Sequence, residues 1–379
     1  MRSASVVGAR PNFIKIAPLL REMRRHPDIS HTLIHTGQHY DEVMAGRFFQ
    51  DLDINSPDVS LEVGSGSHAF QTAEVMKRLE PVLERLRPDV VVVVGDVNST
   101  LAAALTAAKL QIPVAHVEAG LRSADRSMPE EINRLLTDAI ADYLFVTEES
   151  GYLNLLREGV DPRKVHMVGN VMIDALEQWR PLWERAKVGE RLGLAQGAYG
   201  VVTLHRPSNV DDAAMLRGLM KALREVARRM PLVFPVHPRT RQRLEAVEGG
   251  TETVDDHALR FVEPLRYLEF VALVAGSRLV LTDSGGLQEE TTALSVPCLT
   301  LREQTERPVT VTHGTNRVVG TSPDRIIREA VDALAVAMPT VPRPHLWDGR
   351  ASERIVAILR EAGRTSVGST MGAWSGNAR

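Results

Sequence analysis

Short runs of aliphatic and β-branched residues recur along the chain, each followed by a longer stretch whose apolar positions return every three or four residues. The runs at 5–7, 32–35, 90–94, 114–117, 143–146 and 165–168 read as strands, and the periodicity between them predicts helices over 13–25, 41–49, 69–86, 101–110, 130–140 and 149–158. Strands that are apolar on successive residues need cover on both faces, which argues for a parallel sheet with crossover helices. A second series at 201–204, 232–236, 260–262, 279–281 and 296–300 follows a candidate connecting helix at 171–187 and a Gly-rich turn at 193–200. The architecture repeats with no matching sequence repeat, so the expected fold class is α/β, with two doubly wound Rossmann-like domains and not a solenoid. The expected extents are 1–168, then 169–365 with a last helix free to pack back on the first domain, and a flexible Gly/Ser-rich tail at 366–379. Ligand loops in such sheets follow the strand C-termini, so the site is expected in a cleft that the two domains face.

Composition narrows this picture without redirecting it. At 379 residues the chain is too long for one typical core, and 44% apolar with 25% charged residues is ordinary for a soluble globular protein. A net charge of −3 gives no global basic field for nucleic acid, so an anionic ligand requires a local basic site. No apolar run approaches the roughly 20 residues that cross a bilayer. The opening Met-Arg-Ser-Ala-Ser-Val-Val-Gly has no secretory apolar core. The single Cys298 lies in an apolar strand pattern and fits a reducing, cytoplasmic setting.

Polar residues collect at the predicted strand ends. Asp283-Ser284-Gly285-Gly286 joins strand 279–281 to a helix at 287–294 that Ser284 is placed to cap. Glycines keep side chains away from an anion, first-turn amides and the helix dipole face it, and Glu290 one turn on suits vicinal sugar hydroxyls. An ordinary strand-turn-helix is the plain alternative. The first strand ends in Gly8-Ala9-Arg10-Pro11-Asn12 with Lys15 a turn later, a cation pair suited to phosphate. The second ends in Thr36-Gly37-Gln38-His39-Tyr40-Asp41, either a ligand loop or a turn with an exposed histidine.

Asp96 follows five valines, where a carboxylate serves either chemistry or the start of the next helix. Glu118, within His116-Val117-Glu118-Ala119-Gly120-Leu121-Arg122, and Glu130, within Pro129-Glu130-Glu131-Ile132-Asn133-Arg134, bring the carboxylates on this sheet edge to three. Like charges that close would raise at least one pKa into the range of a general acid or base, although acidic residues at a helix start also serve its dipole. In the second series, His205-Arg206 and His237-Pro238-Arg239 occupy equivalent strand ends and suit an anion or proton-transfer surface. Zinc spacings, a Walker loop and a dinucleotide fingerprint after the first strand are all missing, so no metal, ATP or NAD cofactor is expected.

In this order the motifs resemble the non-hydrolysing UDP-N-acetylglucosamine 2-epimerases, which have the two-domain fold of glycosyltransferase-B type enzymes. The resemblance spans nearly the whole chain. It implies a cytoplasmic homodimeric isomerase that interconverts UDP-N-acetylglucosamine and UDP-N-acetylmannosamine, binds UDP and supplies polysaccharide synthesis. By the same resemblance Asp96, Glu118 and Glu130 match the acid/base carboxylates, without distinguishing acid from base. Arg10, Lys15, Arg134 and His205 would sit on the diphosphate or intermediate, with His205 best suited to neutralise the departing phosphate. Ser284, Gly285, Gly286 and Glu290 match the nucleotide anchor, and Phe270 a residue near the uracil, although Phe270 also suits a helix core. His39, Arg206 and His237 complete the substrate-binding candidates.

The implied chemistry is consistent with these residue types. The C2 hydrogen of an N-acetylhexosamine is barely acidic, but departure of UDP builds positive character at C1 that acidifies it. Anti-elimination then yields 2-acetamidoglucal and UDP, and re-addition with protonation from the opposite face inverts C2. A base, an acid, cations for the diphosphate and exclusion of water by domain closure are all required. One feature departs from substrate-regulated bacterial members, whose Gln-His loop carries a second glutamine and whose next segment carries a partner arginine. Here the loop reads Gln38-His39-Tyr40-Asp41 and residues 62–68 include no arginine, so hyperbolic kinetics are expected. Alternatives on the same fold are a hydrolysing 2-epimerase, an epimerase of a modified sugar such as a diacetamido-uronic acid, and a glycosyltransferase.

Overall fold

A computed structural model of the chain describes residues 1–37, 54–248, 258–338 and 340–372. Its contacts group Met1–Gln178 with His345–Arg379 in one compact unit and Trp179–Pro344 in another.

The first unit is built on β1 (Arg2–Val7), β2 (Ser30–His35), β3 (Val59–Ser60), β4 (Val90–Val94), β5 (Val114–Ala119), β6 (Tyr143–Val146) and β7 (Val165–Met167). They form one sheet in the order β3-β2-β1-β4-β5-β6-β7, with every neighbouring pair parallel. The five valines of β4 are at most 3% exposed because β4 is an inner strand covered on both faces. Val91 and Val93 join a core completed by Val75, Leu79 and Leu83 of helix His68–Leu86 and by the alanines of helix Asn98–Lys109. The alternate valines turn to the opposite face, as the two-residue period of a strand dictates.

The second unit holds β8 (Gly200–Thr203), β9 (Leu232–Pro235), β10 (Leu259–Val262), β11 (Leu279–Thr282), β12 (Cys298–Thr300) and β13 (Asn316–Val318). Their order is β10-β9-β8-β11-β12-β13, again wholly parallel. Val202, Phe234 and Leu281 face one core, and Val201, Val233 and Val280 face another. Strand order reverses between β1 and β4 in the first sheet and between β8 and β11 in the second. Those are the points where open α/β sheets leave a crevice at their strand C-termini.

Several elements differ from the sequence reading. The continuous helix expected at 171–187 is broken into Val171–Gln178, Arg180–Arg185 and Val188–Arg191. Pro181 has no N–H to donate and its ring conflicts with the preceding turn, which disfavours an unbroken helix here and suits the first turn of Arg180–Arg185, where it lies. Val171–Gln178, placed after the boundary at 168 by its sequence, packs against helix Arg10–Arg24 of the first unit. Helix Ala351–Gly372 packs on the same helix and runs into the stretch expected as a tail. Asp174 receives its first amides, from Ala351 at 3.0 Å and Ser352 at 2.6 Å. The short strands β3 and β13 have too few residues for a periodic signal, and the helix expected at 41–49 lies outside the described residues. No described helix is long and apolar enough to cross a membrane.

Candidate functional site

At the reversal in the first sheet the backbone is shaped to aim one carboxylate. The β5–β6 register slips between Val117 and Ala119, and Glu118 takes φ 71°, in the left-handed region that side-chain-bearing residues avoid. Such a conformation costs about 1–3 kcal/mol and persists only where its surroundings impose it. Gly120 follows with φ 79°, and a Cβ there would lie 2.3 Å from the Gly151 carbonyl oxygen, so no larger residue fits. Lys15 of helix Arg10–Arg24 donates its ammonium to Oε2 of Glu118, and both side chains are nearly buried, at 11% and 2% exposure. Oε1 of Glu118 is buried with no hydrogen-bond partner among the described residues. Gly95, at φ 70°, leaves the space beside this pair open, since a Cβ there would touch Lys15 Nζ at 3.4 Å and Glu118 Oε2 at 3.5 Å.

Helix Pro129–Ile140 inverts the usual amphipathic arrangement. Its buried residues are Glu131, Asn133, Arg134, Thr137 and Asp138, while Ile132 and Leu136 are exposed. The polar face serves to fix the strand ends. Arg134 donates through Nη1 to Asp96 Oδ2 at 2.5 Å, and through Nε and Nη2 to Glu131 Oε2 at 2.9 and 2.6 Å. Glu131 also accepts the amides of Ser123 and Ala124, each at 3.0 Å. Burial alone would raise its pKa, but the Ser123 amide and Arg134 outweigh burial and hold it below the ordinary value. Asp138 takes Nδ1 of His116 at 2.6 Å, the Gly120 amide at 3.0 Å and Arg122 at 2.7 Å, while His116 Nε2 meets the Gly95 carbonyl at 2.9 Å.

The three expected carboxylates therefore have three different settings. Asp96 and Glu118 each meet a cation, Arg134 and Lys15 respectively, where the sequence reading set like charge against like charge. Asp96 does not cap the next helix, whose N-cap is Val97 with no side-chain bond. Glu130 stands half-buried in the first turn of its helix with no hydrogen bond or ion pair among the described residues. The Arg134 guanidinium, expected on a diphosphate, is bound to Glu131 and Asp96 and is 3% exposed.

In the second unit the reversal is bridged by Asp283, which is completely buried. Its carboxylate accepts the amides of His205 and Arg206, each at 3.0 Å, Asn209 Nδ2 at 3.2 Å, and stands 2.9 Å from His205 Nδ1. Burial acts to raise the Asp283 pKa, yet His205 and the two amides bring it below the usual value. The His205 side chain remains 53% exposed, so its Nδ1 is held from beneath while the ring edge faces solvent. Arg206 reaches the Asp283 carbonyl oxygen through Nε at 3.2 Å and Glu306 through Nη2 at 3.5 Å.

Ser284 occupies the N-cap of helix Gly285–Leu294, but its side chain makes no capping bond, which corrects the expectation that it would. Its amide instead donates to Thr282 Oγ1 at 2.9 Å. First-turn amides left uncapped by the chain suit an anion. The two glycines that follow differ in what they accommodate. A Cβ on Gly285 would fall 2.5 Å from Arg307 Nη1 and 2.7 Å from Glu306 Oε1, whereas one on Gly286 would meet nothing within 4 Å among the described residues. Arg307 is held by Glu289 at 2.8 Å and Glu306 at 2.7 Å. Burial alone would raise Glu306, but Arg307, Arg302 and Arg206 hold it far below the usual carboxylate range.

Glu290, 5% exposed, accepts the Tyr267 hydroxyl at 2.9 Å, and burial pushes its carboxyl up to about 7. Phe270 packs partly buried against the core around Leu273 and Val280. His237 is exposed just past β9. His39 lies outside the described residues, as does the side chain of Arg10. Among the described residues, no group of three or more His, Cys, Asp or Glu is arranged to hold a metal ion.

The sequence reading missed the roles of Glu131, Asp138, Tyr267, Asp283 and Glu306. Asp283 carried a usable signal, because a carboxylate directly after an apolar strand must find donors if it is buried. The other four depend on partners set by tertiary contact.

A family model for UDP-N-acetylglucosamine 2-epimerase matches residues 21–360. A UDP-N-acetylglucosamine 2-epimerase of Methanocaldococcus jannaschii is 42% identical over 364 residues, covering 95% of this chain and 99% of its own. The crystal structure of Methanocaldococcus jannaschii UDP-GlcNAc 2-epimerase in complex with UDP-GlcNAc and UDP matches with a TM-score of 0.87 and 42% identity, covering 95% of this chain and 100% of its own. A UDP-2,3-diacetamido-2,3-dideoxy-D-glucuronate 2-epimerase of Pseudomonas aeruginosa is 39% identical over 363 residues, covering 95% and 99% of the two chains.

Proposed function

The chain belongs to the UDP-N-acetylglucosamine 2-epimerase family, and from that premise we propose that it reversibly converts UDP-N-acetylglucosamine to UDP-N-acetylmannosamine. Its architecture, two Rossmann-like domains of the glycosyltransferase-B type, is that of the family. The proposed route is anti-elimination of UDP to 2-acetamidoglucal followed by re-addition, with no cofactor. Its main support is Glu118, whose enforced left-handed backbone presents a carboxylate with Lys15 on one oxygen and no partner among the described residues on the other.

In this reading Asp96, Glu118 and Glu130 divide the acid and base work on the two faces of C2. Arg134 acts on Asp96 rather than on the ligand, holding that carboxylate in one orientation. Lys15 and Arg10 stabilise charge on the departing diphosphate. His205, oriented through Nδ1 by Asp283, offers its other nitrogen to the same phosphate. The uncapped amides after Ser284, with Gly285 and Gly286, hold the diphosphate, and Glu290 takes the ribose. Arg206, His237, His39 and Phe270 contribute to substrate binding. The working form is taken as a cytoplasmic homodimer whose product supplies cell-surface polysaccharide synthesis.

Incubation with UDP-N-acetylglucosamine in D2O, followed by NMR, tests the reading. Deuterium entering C2 as UDP-N-acetylmannosamine appears is the expected result, and absence of C2 exchange refutes it. Asp96→Asn and Glu118→Gln should abolish exchange with the fold intact. The 39% identity to the diacetamido-glucuronate epimerase supports a second substrate reading. A parallel incubation with UDP-2,3-diacetamido-2,3-dideoxy-glucuronate separates the two by which sugar exchanges.

A further inference from the structure

We propose that Tyr267 is a positioning residue for the nucleotide: its hydroxyl occupies one oxygen of the Glu290 carboxylate and leaves the other, in a fixed orientation, for the sugar hydroxyls of the ligand. The inference rests on the reading that Glu290 anchors the nucleoside.

Tyr267 opens helix Tyr267–Ala275 and Glu290 lies on helix Gly285–Leu294, so two separate elements set their meeting. The hydroxyl donates to Oε1 at 2.9 Å, and no described residue donates to Oε2. The Tyr267 ring stands edge-on to Trp179, with centroids 6.3 Å apart at 85°, and Trp179 is only 3% exposed. A ring braced in this way cannot follow a moving carboxylate, so the carboxylate is held to the ring. The neighbouring Glu289 is committed to Arg307 and does not compete for the hydroxyl.

A carboxylate free to rotate accepts a sugar hydroxyl only after losing rotational freedom, whereas one already tethered has lost it before the ligand arrives. The proton donated by Tyr267 also favours the charged form, the better acceptor for an alcohol. Together these make the nucleotide's hydroxyls count for more than they would against an untethered glutamate. Tyr267 therefore acts through Glu290 on selectivity for ribose, without touching the reacting atoms.

The test is calorimetric titration of the full chain with UDP, 2′-deoxy-UDP and 3′-deoxy-UDP. At least one monodeoxy analogue should bind about tenfold more weakly than UDP to the unaltered protein, the size of one hydrogen bond to a charged group. In Tyr267→Phe that ratio should fall to about threefold or less. A merely structural role would weaken all three ligands alike and leave the ratio unchanged, which would overturn the proposal. So would a ratio near one in the unaltered protein. Glu290→Asp, which draws the carboxylate back by one methylene, asks the same question should Tyr267→Phe fail to fold, and an unchanged ratio there overturns the proposal equally. Glu290→Gln separates the two levels of inference. If it leaves UDP affinity and the ratio untouched, Glu290 does not hold the nucleoside; if it reduces both while Tyr267→Phe keeps the ratio, only the role of Tyr267 is wrong.

Discussion

Adjacent glycines at the start of helix Gly285–Leu294 should respond oppositely to the same added methyl group. In Gly285→Ala the new Cβ would lie 2.5 Å from Arg307 Nη1 and 2.7 Å from Glu306 Oε1. The end of an arginine usually yields at little cost, but Arg307 is 7% exposed and held between Glu289 and Glu306. Moving it by the required ångström breaks or lengthens one charge-assisted hydrogen bond, a loss of about 2 kcal/mol. For a unit the size of Trp179–Pro344 that corresponds to a melting point lower by roughly 4–8 °C. In Gly286→Ala the methyl group meets nothing within 4 Å among the described residues, and the gain in helix propensity, at most about 1 kcal/mol, leaves the melting point unchanged or slightly raised. The open side of Gly286 is where the proposed diphosphate approaches, so the same methyl should weaken UDP by about tenfold or more. Differential scanning fluorimetry reads the first effect and titration calorimetry the second. UDP bound by Gly286→Ala with unaltered affinity would refute the turn as the nucleotide anchor, and a Gly285→Ala melting point equal to that of the parent would refute the argument from Arg307.

Three further outcomes follow from the charges around the site. Glu131→Ala removes the acceptor of the Ser123 and Ala124 amides and of Arg134 Nε, leaving Asp96 as the carboxylate on the buried guanidinium, and should destabilise the protein by about 3 kcal/mol in urea titrations; a loss under about 1 kcal/mol would contradict the bracing role. Burial raises the Glu290 carboxyl to about 7 in the free protein, above its ordinary value, with the adjacent Glu289 adding to the shift and Tyr267 opposing it. Ligand hydroxyls favour the charged form, so UDP affinity should be complete above about pH 7 and fall as pH drops through it. Calorimetry across that range checks the sign, and Glu290→Gln should flatten the curve. Initial rates against UDP-N-acetylglucosamine should be hyperbolic, because residues 62–68 carry no arginine to partner the Gln38-His39 loop; a clearly sigmoidal curve would count against this.

The apolar runs were enough to locate most strands, since a strand covered on both faces advertises itself in a few consecutive residues, as the valines of β4 do. They also placed Asp96, Glu118, His205 and Ser284 at strand ends, because the edge of an apolar run is a local signal. Periodicity read the inverted helix Pro129–Ile140 as a helix but not which of its faces was buried, since its burial is offset by ion pairs instead of apolar area. The partnerships themselves were decided by the tertiary structure. Lys15 and Glu118 are 103 residues apart, Arg134 and Asp96 are 38, and the His205 amide and the Asp283 carboxylate are 78. Only folding brings such charges together and removes the water that would otherwise screen them. The same holds for Gly285 and Gly286, identical neighbours in the chain, which differ because Arg307 packs against one and not the other. Sequence by itself determined which residues stand at the strand ends, a matter of local apolar pattern. Tertiary structure decided which charge each of them meets, because a buried charge is stabilised by whatever the fold sets within hydrogen-bond reach.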